Sequence, residues 1–215
     1  MLAGRRALWL ALLPSAFPLL FYVIALLSPG STNLDETAVP ALLLGLPMSV
    51  LAIFLGVRIV AGEIDQGTLE VIYTVPGGPG RVWTPKLVAS GLILAASEVP
   101  AAAIVFFLLT GFPPDALYAA YQGALFHLAV SMGLAAWCRG EITGALVTVP
   151  VLGLSFMTWG ARVSPFWSVT AAPQAEPAEL LAALAQNRIG YALAIAAVLA
   201  LGYARANRRE RMLGS

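Results

Sequence analysis

Side chains capable of acid, base or nucleophilic chemistry are few in this sequence, and most stand alone among apolar residues. The nearest approach to a serine-nucleophile motif surrounds Ser155, at 153–156, and lacks the closing glycine. An intramembrane hydrolase needs a nucleophile with a base, or two metal ligands with a carboxylate. The sequence contains one histidine, His127, which cannot form such a pair of ligands. We therefore predict no catalytic residue and no metal site, and an intramembrane hydrolase is the least favoured function.

Two ionisable side chains lie in the middle of apolar runs. A charged carboxylate at a bilayer centre costs about 2.5–3.5 kcal/mol, so Glu98 should face protein or a wet cavity. We weigh a protonated, hydrogen-bonded Glu98 against a place on a translocation path or dimer interface. Pro100, two residues further on, predicts a kink there. For His127 a hydrogen bond between packed helices is favoured over chemistry.

A polar stretch at 63–86 interrupts the hydrophobic sequence. Gly67 can adopt the left-handed conformation that ends a helix, so the apolar helix before it should end near this position. Thr68 is a suitable N-cap for a second, shorter helix, and Pro76 prevents that helix from continuing. The stretch therefore predicts a short helix between two long apolar ones.

That short helix is predicted to be amphipathic. Leu69 and Ile72 are three residues apart and share one face, whereas Glu70 and Thr74 point elsewhere. The sequence shows no obvious partner for the apolar face within the chain. A simple polar loop is the alternative reading of the same residues.

The composition identifies a membrane protein. Of 215 residues, 60% are hydrophobic and 11% charged, against roughly 25% charged in soluble domains. The net charge of +1 argues against nucleic-acid binding, which needs a concentrated basic face. The sequence also lacks a Gly-x4-Gly-Lys-Ser/Thr phosphate-binding loop, so we expect no ATP hydrolysis by that route.

The apolar runs predict an all-α polytopic fold with six transmembrane helices in one transmembrane domain, 1–215. About twenty apolar residues cross the roughly 30 Å of a bilayer core. The predicted spans are about 7–27, 41–61, 87–110, 116–137, 142–159 and 189–204, with the polar segment 62–86 between the second and third.

The segment 161–186 is too interrupted by prolines to span a membrane. Phe166 and Trp167 within it are suited to a headgroup interface. Pro177 is a good first helical residue for a short helix at 178–186, which we expect to lie flat on the outer surface.

Basic residues are distributed very unevenly between the two sides of the predicted membrane. Ten Lys and Arg fall on the side of the termini and two, Arg162 and Arg188, on the other. Because basic residues favour cytoplasmic loops, both termini and the segment 62–86 should be cytoplasmic. The protein is therefore expected to be a multi-pass protein of the plasma (inner) membrane, in contact with lipid.

Glu63, Gly67-Thr68-Leu69-Glu70, Pro76 and Lys86, placed between the second and third spans, resemble the signature of ABC type 2 transporter permeases. In that family this segment is a coupling helix on which a separate ATPase subunit docks. We therefore predict that the Leu69 and Ile72 face, with the flanking Glu63 and Glu70, enters a groove on that subunit. The resemblance implies an ATPase-coupling role for Glu63, Asp65, Gly67, Thr68, Leu69, Glu70, Ile72, Pro76 and Lys86. It also implies that ATP and Mg²⁺ are bound by the ATPase, with no cofactor in this chain.

The same resemblance implies an exporter formed by two six-span chains, identical or different, on two ATPase subunits. A haem-exporter B-type permease is the nearest alternative, because those subunits have a similar length and a Gly-Ser-Leu-Glu version of the motif. A small-molecule-binding membrane subunit of an uptake system is a further alternative. Such subunits recruit ATPases through a separate scaffold, whereas the stretch at 63–86 favours direct docking.

Overall fold

The structure is a computed structural model that describes residues 5–28, 38–76, 78–172 and 176–207, with side chains from Trp9 onward. Within these ranges the chain is helical and contains no strand. The α-helices are α1 (Arg5–Leu27), α2 (Leu46–Asp65), α3 (Leu69–Tyr73), α4 (Gly80–Ile104), α5 (Pro114–Cys138), α6 (Glu141–Met157) and α7 (Pro177–Ala206). A π-helical turn, Ala41–Gly45, leads into α2, and another, Val105–Leu109, extends α4.

Four helices in the described ranges are long and apolar enough to cross a membrane: Trp9–Leu27, Ala41–Asp65, Gly80–Leu109 and Pro177–Ala206. They correspond to the first, second, third and sixth predicted spans. The other two predicted spans coincide with α5 and α6, which do not meet the same criteria of length and hydropathy. The prediction of an all-helical membrane protein is thus supported, and the number of six spans remains a prediction.

Helix α5 is less apolar because it lies inside the bundle and carries polar side chains there. Gln122, His127 and Ser131 are all at most 5% exposed. Helix α6 has 17 residues, which corresponds to about 26 Å at 1.5 Å per residue. It falls slightly short of the roughly 30 Å of a bilayer core.

Helices α2 and α5 approach each other closely at a glycine. A Cβ atom built on Gly56 would lie 2.6 Å from the carbonyl oxygen of Leu128 and would also collide with the hydroxyl of Ser131. Only a residue without a side chain permits this approach. The contact places the buried faces of α2 and α5 at the centre of the fold, where Met48, Leu55 and Met132 are among the core residues.

The segment between α6 and α7 differs from the prediction in two ways. The short separate helix at 178–186 is absent as such, since α7 runs without interruption over Pro177–Ala206. The predicted start at Pro177 is correct, but no proline follows within the helix to separate a surface helix from the span. The prediction that Phe166 and Trp167 occupy a headgroup interface is also wrong.

Phe166 and Trp167 are 3% and 1% exposed because the preceding loop enters the bundle. The ring of Phe166 stacks on His127 with a 5.7 Å centroid separation. It also occupies the space that a Cβ atom on Gly123 would need. These rings fill a gap between helices that the sequence pattern could not reveal.

Candidate functional site

The predicted helix end at Gly67 is present. Gly67 has φ +69, its N–H donates to the carbonyl of Ile64 at 3.0 Å, and the N–H of Thr68 donates to the carbonyl of Glu63 at 3.0 Å. These two hydrogen bonds form a Schellman motif, which satisfies carbonyl groups at the C-terminus of α2. The glycine turns the chain directly from α2 into α3.

Thr68 does not cap α3 with its side chain as predicted. It precedes the helix with helical backbone angles and makes no side-chain cap hydrogen bond. Its hydroxyl instead donates to the Glu63 carboxylate. The compact Schellman turn brings the two side chains together, so the hydroxyl donates to the Glu63 carboxylate and accepts no hydrogen bond from a backbone N–H of α3.

The second partner of Glu63 is Lys86, whose ammonium group forms an ion pair with the other carboxylate oxygen. The two side chains are 14% and 28% exposed. Lys86 was predicted at the foot of the third span, but α4 begins earlier, at Gly80, and Lys86 lies in its second turn. The ion pair therefore joins the end of α2 to the beginning of α4 across the base of α3.

The apolar face of α3 has a partner within the chain. Leu69 and Ile72 are 4% and 6% exposed and belong to the same core as Trp83 of α4. In addition, the hydroxyl of Tyr73 donates to the carbonyl of Ala206 at the end of α7. The face of Leu69 and Ile72, which was predicted to enter a groove on a separate ATPase, is instead covered within the chain by the first turns of α4 and the end of α7.

The opposite side of α3 faces outward. Glu70, Val71 and Thr74 are exposed, and Val71 exposes 67% of its surface. The Thr74 hydroxyl donates to the carbonyl of Val71 at 2.7 Å, which closes the C-terminal turn. Pro76 is also exposed, and its carbonyl accepts a 3.1 Å hydrogen bond from Arg81. A small surface of mixed polarity results.

Asp65 belongs to a different set of contacts from Glu63. Its carboxylate accepts a 3.1 Å hydrogen bond from the backbone N–H of Glu141, the first residue of α6. A carboxylate at this position stabilises the positive end of the helix dipole. The Glu141 side chain in turn pairs with Arg58 of α2 at 3.4 Å. Glu63 and Asp65 thus connect α2 to α4 and α6, respectively.

These two ion pairs border a cavity of about 280 Å³ at this end of the bundle. Arg58 and Lys86 provide positive charge, and Glu63 and Glu141 provide negative charge. Because each cation is paired with a carboxylate, the cavity has no excess charge of either sign to attract an ionic ligand.

Glu98 lies twelve residues beyond Lys86 on α4, which corresponds to about 18 Å along the helix axis. It is partly buried, and its Oε1 atom is enclosed with no hydrogen-bond partner among the described residues. The structure therefore does not bring Glu98 to the cluster around α3. Tyr121 of α5 is close enough to interact with it electrostatically.

His127 lies within the bundle, fully buried. Its Nδ1 is 2.7 Å from the carbonyl of Gly123, one turn earlier in α5, so Nδ1 carries the proton because a carbonyl can only accept. The expected partner on another helix is replaced by the stacked ring of Phe166. No group of three or more His, Cys, Asp or Glu suited to a metal ion occurs in the described part of the chain.

Sequence reasoning missed two features of this region. The ion pair between Arg58 and Glu141, which are 83 positions apart in the sequence, was not predicted. Val71 was not singled out, although it is the exposed apolar residue of α3. The spacing of Val71 from Leu69 and Ile72 provided a signal, because it lies on the face opposite to both.

Comparison with known proteins gives one distant similarity. The chain is 29% identical, in an alignment of 168 residues that covers 75% of the chain, to a protein from Stutzerimonas stutzeri named as the probable ABC transporter permease protein NosY. The match covers 55% of that protein, so the chain spans about half the length of this relative. No family model matches the chain, and no solved structure matches it. The similarity, together with four helices suited to crossing a membrane, supports a relationship to the ABC transporter permeases.

Proposed function

We propose that this chain is a permease subunit of an ABC exporter of type 2, in which α3 is the coupling helix that receives a separate ATPase subunit. ATP and Mg²⁺ are bound and consumed by that ATPase, and this chain has no catalytic role. The distant similarity to a probable ABC permease supports the general class. The motif at 63–86 is the basis for the type and for the direction of transport.

The two-sided character of α3 is the observation that carries the proposal. Its inner side, Leu69 and Ile72, is embedded in the core, and its outer side exposes Glu70 and Val71. A short helix that is anchored on one side can transmit force applied to the other. We therefore assign the docking contact to Glu70, Val71 and Thr74, and assign to Leu69 and Ile72 the transmission of movement into the bundle.

The ion pair of Glu63 with Lys86 and the bond from Asp65 to α6 extend this transmission to other helices. A push on α3 reaches α2, α4 and α6 through residues that are adjacent to it in the structure. Closure of two ATPase subunits would tilt two such bundles between inward- and outward-facing states. The proposal thus includes a second permease chain, six spans, and cytoplasmic termini in the plasma (inner) membrane.

Site-specific photo-crosslinking tests the proposal. A photoreactive amino acid at Val71, in membranes of the native host, should give an adduct whose peptides include the phosphate-binding loop of an ABC ATPase. The matched control is the same group at Val163, another exposed valine (74%) that lies beyond the other end of α6. An ATPase adduct from both positions, or from neither, would contradict the assignment of α3 as the docking element.

A further inference from the structure

We propose that a cleft between α5, α7 and the loop after α6 binds an anionic phospholipid, with the phosphate at Arg162 and an acyl chain along the small residues of α7. The cleft is at the end of the bundle opposite to α3. The cleft is independent of the proposed transport function, because none of its lining residues belongs to α3 or to the contacts around it.

The cleft has a volume of about 490 Å³ and changes in polarity along its length. Arg162, Gln186 and Asn187 line one part, and Phe126, Gly190 and Ala194 line another. On α7 these residues follow in order from 186 to 194, which spans about 12 Å along the axis. The polar part of the cleft is therefore nearer the beginning of α7, and the apolar part is nearer the middle of that helix.

The length of α7 indicates that the change from polar to apolar lining lies at the boundary between headgroups and hydrocarbon. Thirty residues correspond to about 45 Å, which exceeds a hydrocarbon core of about 30 Å. Arg188 and Arg205 bracket about 26 Å of this helix, so the first turns, up to about residue 187, stand at headgroup level. Tyr191, also in the cleft, then occupies the position typical of interfacial aromatic residues.

The backbone of Arg162 is fixed at that level by hydrogen bonds to Asn187 of α7. The side chain of Asn187 donates to the carbonyl of Arg162 at 2.8 Å and to the carbonyl of Ser164 at 2.9 Å. Asn187 also accepts from Gln122 at 3.0 Å. The loop and the two helices are thus fixed to each other, and the cleft has a rigid polar wall.

The charge of Arg162 is available for a ligand. The ion pairs among the described residues do not include it, and the residue is exposed. Its neighbour Arg188 is already bound to Asp115 at 2.7 Å. A guanidinium group recognises phosphate with two parallel N–H donors, and the exposed amide of Gln186 supplies a further donor.

The apolar part of the cleft decides in favour of a lipid over a soluble anion. Phe126, Gly190 and Ala194 form a shallow wall, and Val163, 74% exposed, lines the same cleft. Ile189 and Leu193, each next to a wall residue in the sequence of α7, are 61% and 67% exposed. A free phosphate makes no use of such a wall, whereas an acyl chain packs against it by van der Waals contact.

Lipid-dependent thermal stability of the full chain, purified in detergent, tests the site. We expect phosphatidylglycerol to raise the midpoint of unfolding more than phosphatidylcholine with the same acyl chains, because a ligand of the folded state stabilises it by mass action. Arg162→Gln should weaken the apparent affinity for phosphatidylglycerol at least about fivefold. Arg139→Gln, which removes a positive charge at the other end of the bundle, is the control.

A second pair of variants tests the shape of the cleft without changing charge. A Cβ atom on Gly190 meets nothing within 4 Å, so Gly190→Leu should fold and extend into the cleft. Gly153→Leu on α6, where a Cβ atom also meets nothing, is the control. Loss of the phosphatidylglycerol effect in Gly190→Leu and Arg162→Gln, but not in the controls, supports the proposal.

Three results would overturn it. Equal stabilisation by the two lipids would show that the headgroup charge is not recognised. Unchanged stabilisation of Gly190→Leu by phosphatidylglycerol would show that the lipid does not occupy the cleft and that Arg162 acts only as a surface charge. Full stabilisation by the soluble headgroup analogue glycerophosphoglycerol would show that the site takes a free anion instead of a lipid.

Discussion

Glu63 at the end of α2 and Lys86 in the second turn of α4 form an ion pair that closes over the base of α3. The hydroxyl of Thr68, in the turn between them, donates to the same carboxylate. Residues that are 23 positions apart in the sequence thus hold the two long helices and the short one in a fixed arrangement. Any force on α3 meets both long helices at once.

Charge reversal at this pair should destabilise the protein. Glu63→Lys places two cations side by side in a partly buried site and should cost about 1–3 kcal/mol, while the double variant Glu63→Lys/Lys86→Glu should recover at least half of that loss. Thermal unfolding of the purified variants measures both effects. If the double variant were no more stable than the single one, the two residues would not be energetically coupled.

The pair of Arg58 and Glu141 provides a comparison. It is longer, at 3.4 Å, and Arg58 is 53% exposed, so solvent screens it. We expect the corresponding reversal, Glu141→Lys, to have a smaller effect on unfolding than Glu63→Lys. A larger effect would place the main connection at α6 instead of α4.

Substitutions at Gly67 should show the cost of backbone strain alone, because a side chain there has room but must adopt a left-handed backbone conformation. A Cβ atom there meets nothing within 4 Å, yet φ is +69. Gly67→Val should therefore cost about 1–2 kcal/mol through the left-handed backbone alone, whereas Gly67→Asn should be tolerated better. Under the proposed function, Gly67→Val should also reduce substrate-stimulated ATP hydrolysis in the reconstituted complex. Equal stability of the Val and Asn variants would contradict the role of backbone strain.

Gly56 should be intolerant of any side chain. Gly56→Ala brings a methyl group against the Leu128 carbonyl and the Ser131 hydroxyl, and such overpacking costs about 1–3 kcal/mol. Gly153→Ala, with open space around its Cβ position, should be neutral or slightly stabilising because alanine is the better helix former. Thermal unfolding measures both effects. The midpoint of unfolding should fall clearly in Gly56→Ala and should stay the same or rise slightly in Gly153→Ala.

Glu98→Gln should insert and assemble nearly as well as the wild-type protein. The enclosed Oε1 atom has no hydrogen-bond partner in the described part of the chain, and the amide preserves the shape while it removes a charge that would be costly in a bilayer. Quantitative size-exclusion chromatography after expression in membranes measures this. Complete failure of the variant to assemble would show that an ionised carboxylate is structurally required.

Cysteine labelling tests the topology. In a Cys138→Ser background, a cysteine at Val71 should react from the cytoplasm and a cysteine at Val163 from outside, because an odd number of predicted spans separates them. Both positions are well exposed. Thr37, between the first and second predicted spans, lies outside the described residues, and a cysteine there should react from outside. Labelling of Val71 and Val163 from the same side would refute the six-span arrangement.

The helical membrane character of the protein and the position of its polar segment could be predicted from the residue pattern alone. Apolar runs of about twenty residues leave few alternatives to membrane helices, because the backbone must satisfy its hydrogen bonds within each helix. The helix end at Gly67 was equally predictable, since a left-handed residue favours glycine wherever it occurs. These features depend on neighbours in the sequence.

Which face of each helix is buried, and which residues cover it, became evident only from the packing of distant parts of the chain. Leu69 and Ile72 lacked a partner in the sequence pattern, but they meet Trp83 and the end of α7 in space. Thr68 was predicted to cap a helix, and it binds Glu63 instead because the turn brings the carboxylate within reach. An amphipathic pattern predicts that one face of a helix will be buried. Whether a distant helix or another protein covers that face depends on long-range packing, which the local sequence does not encode.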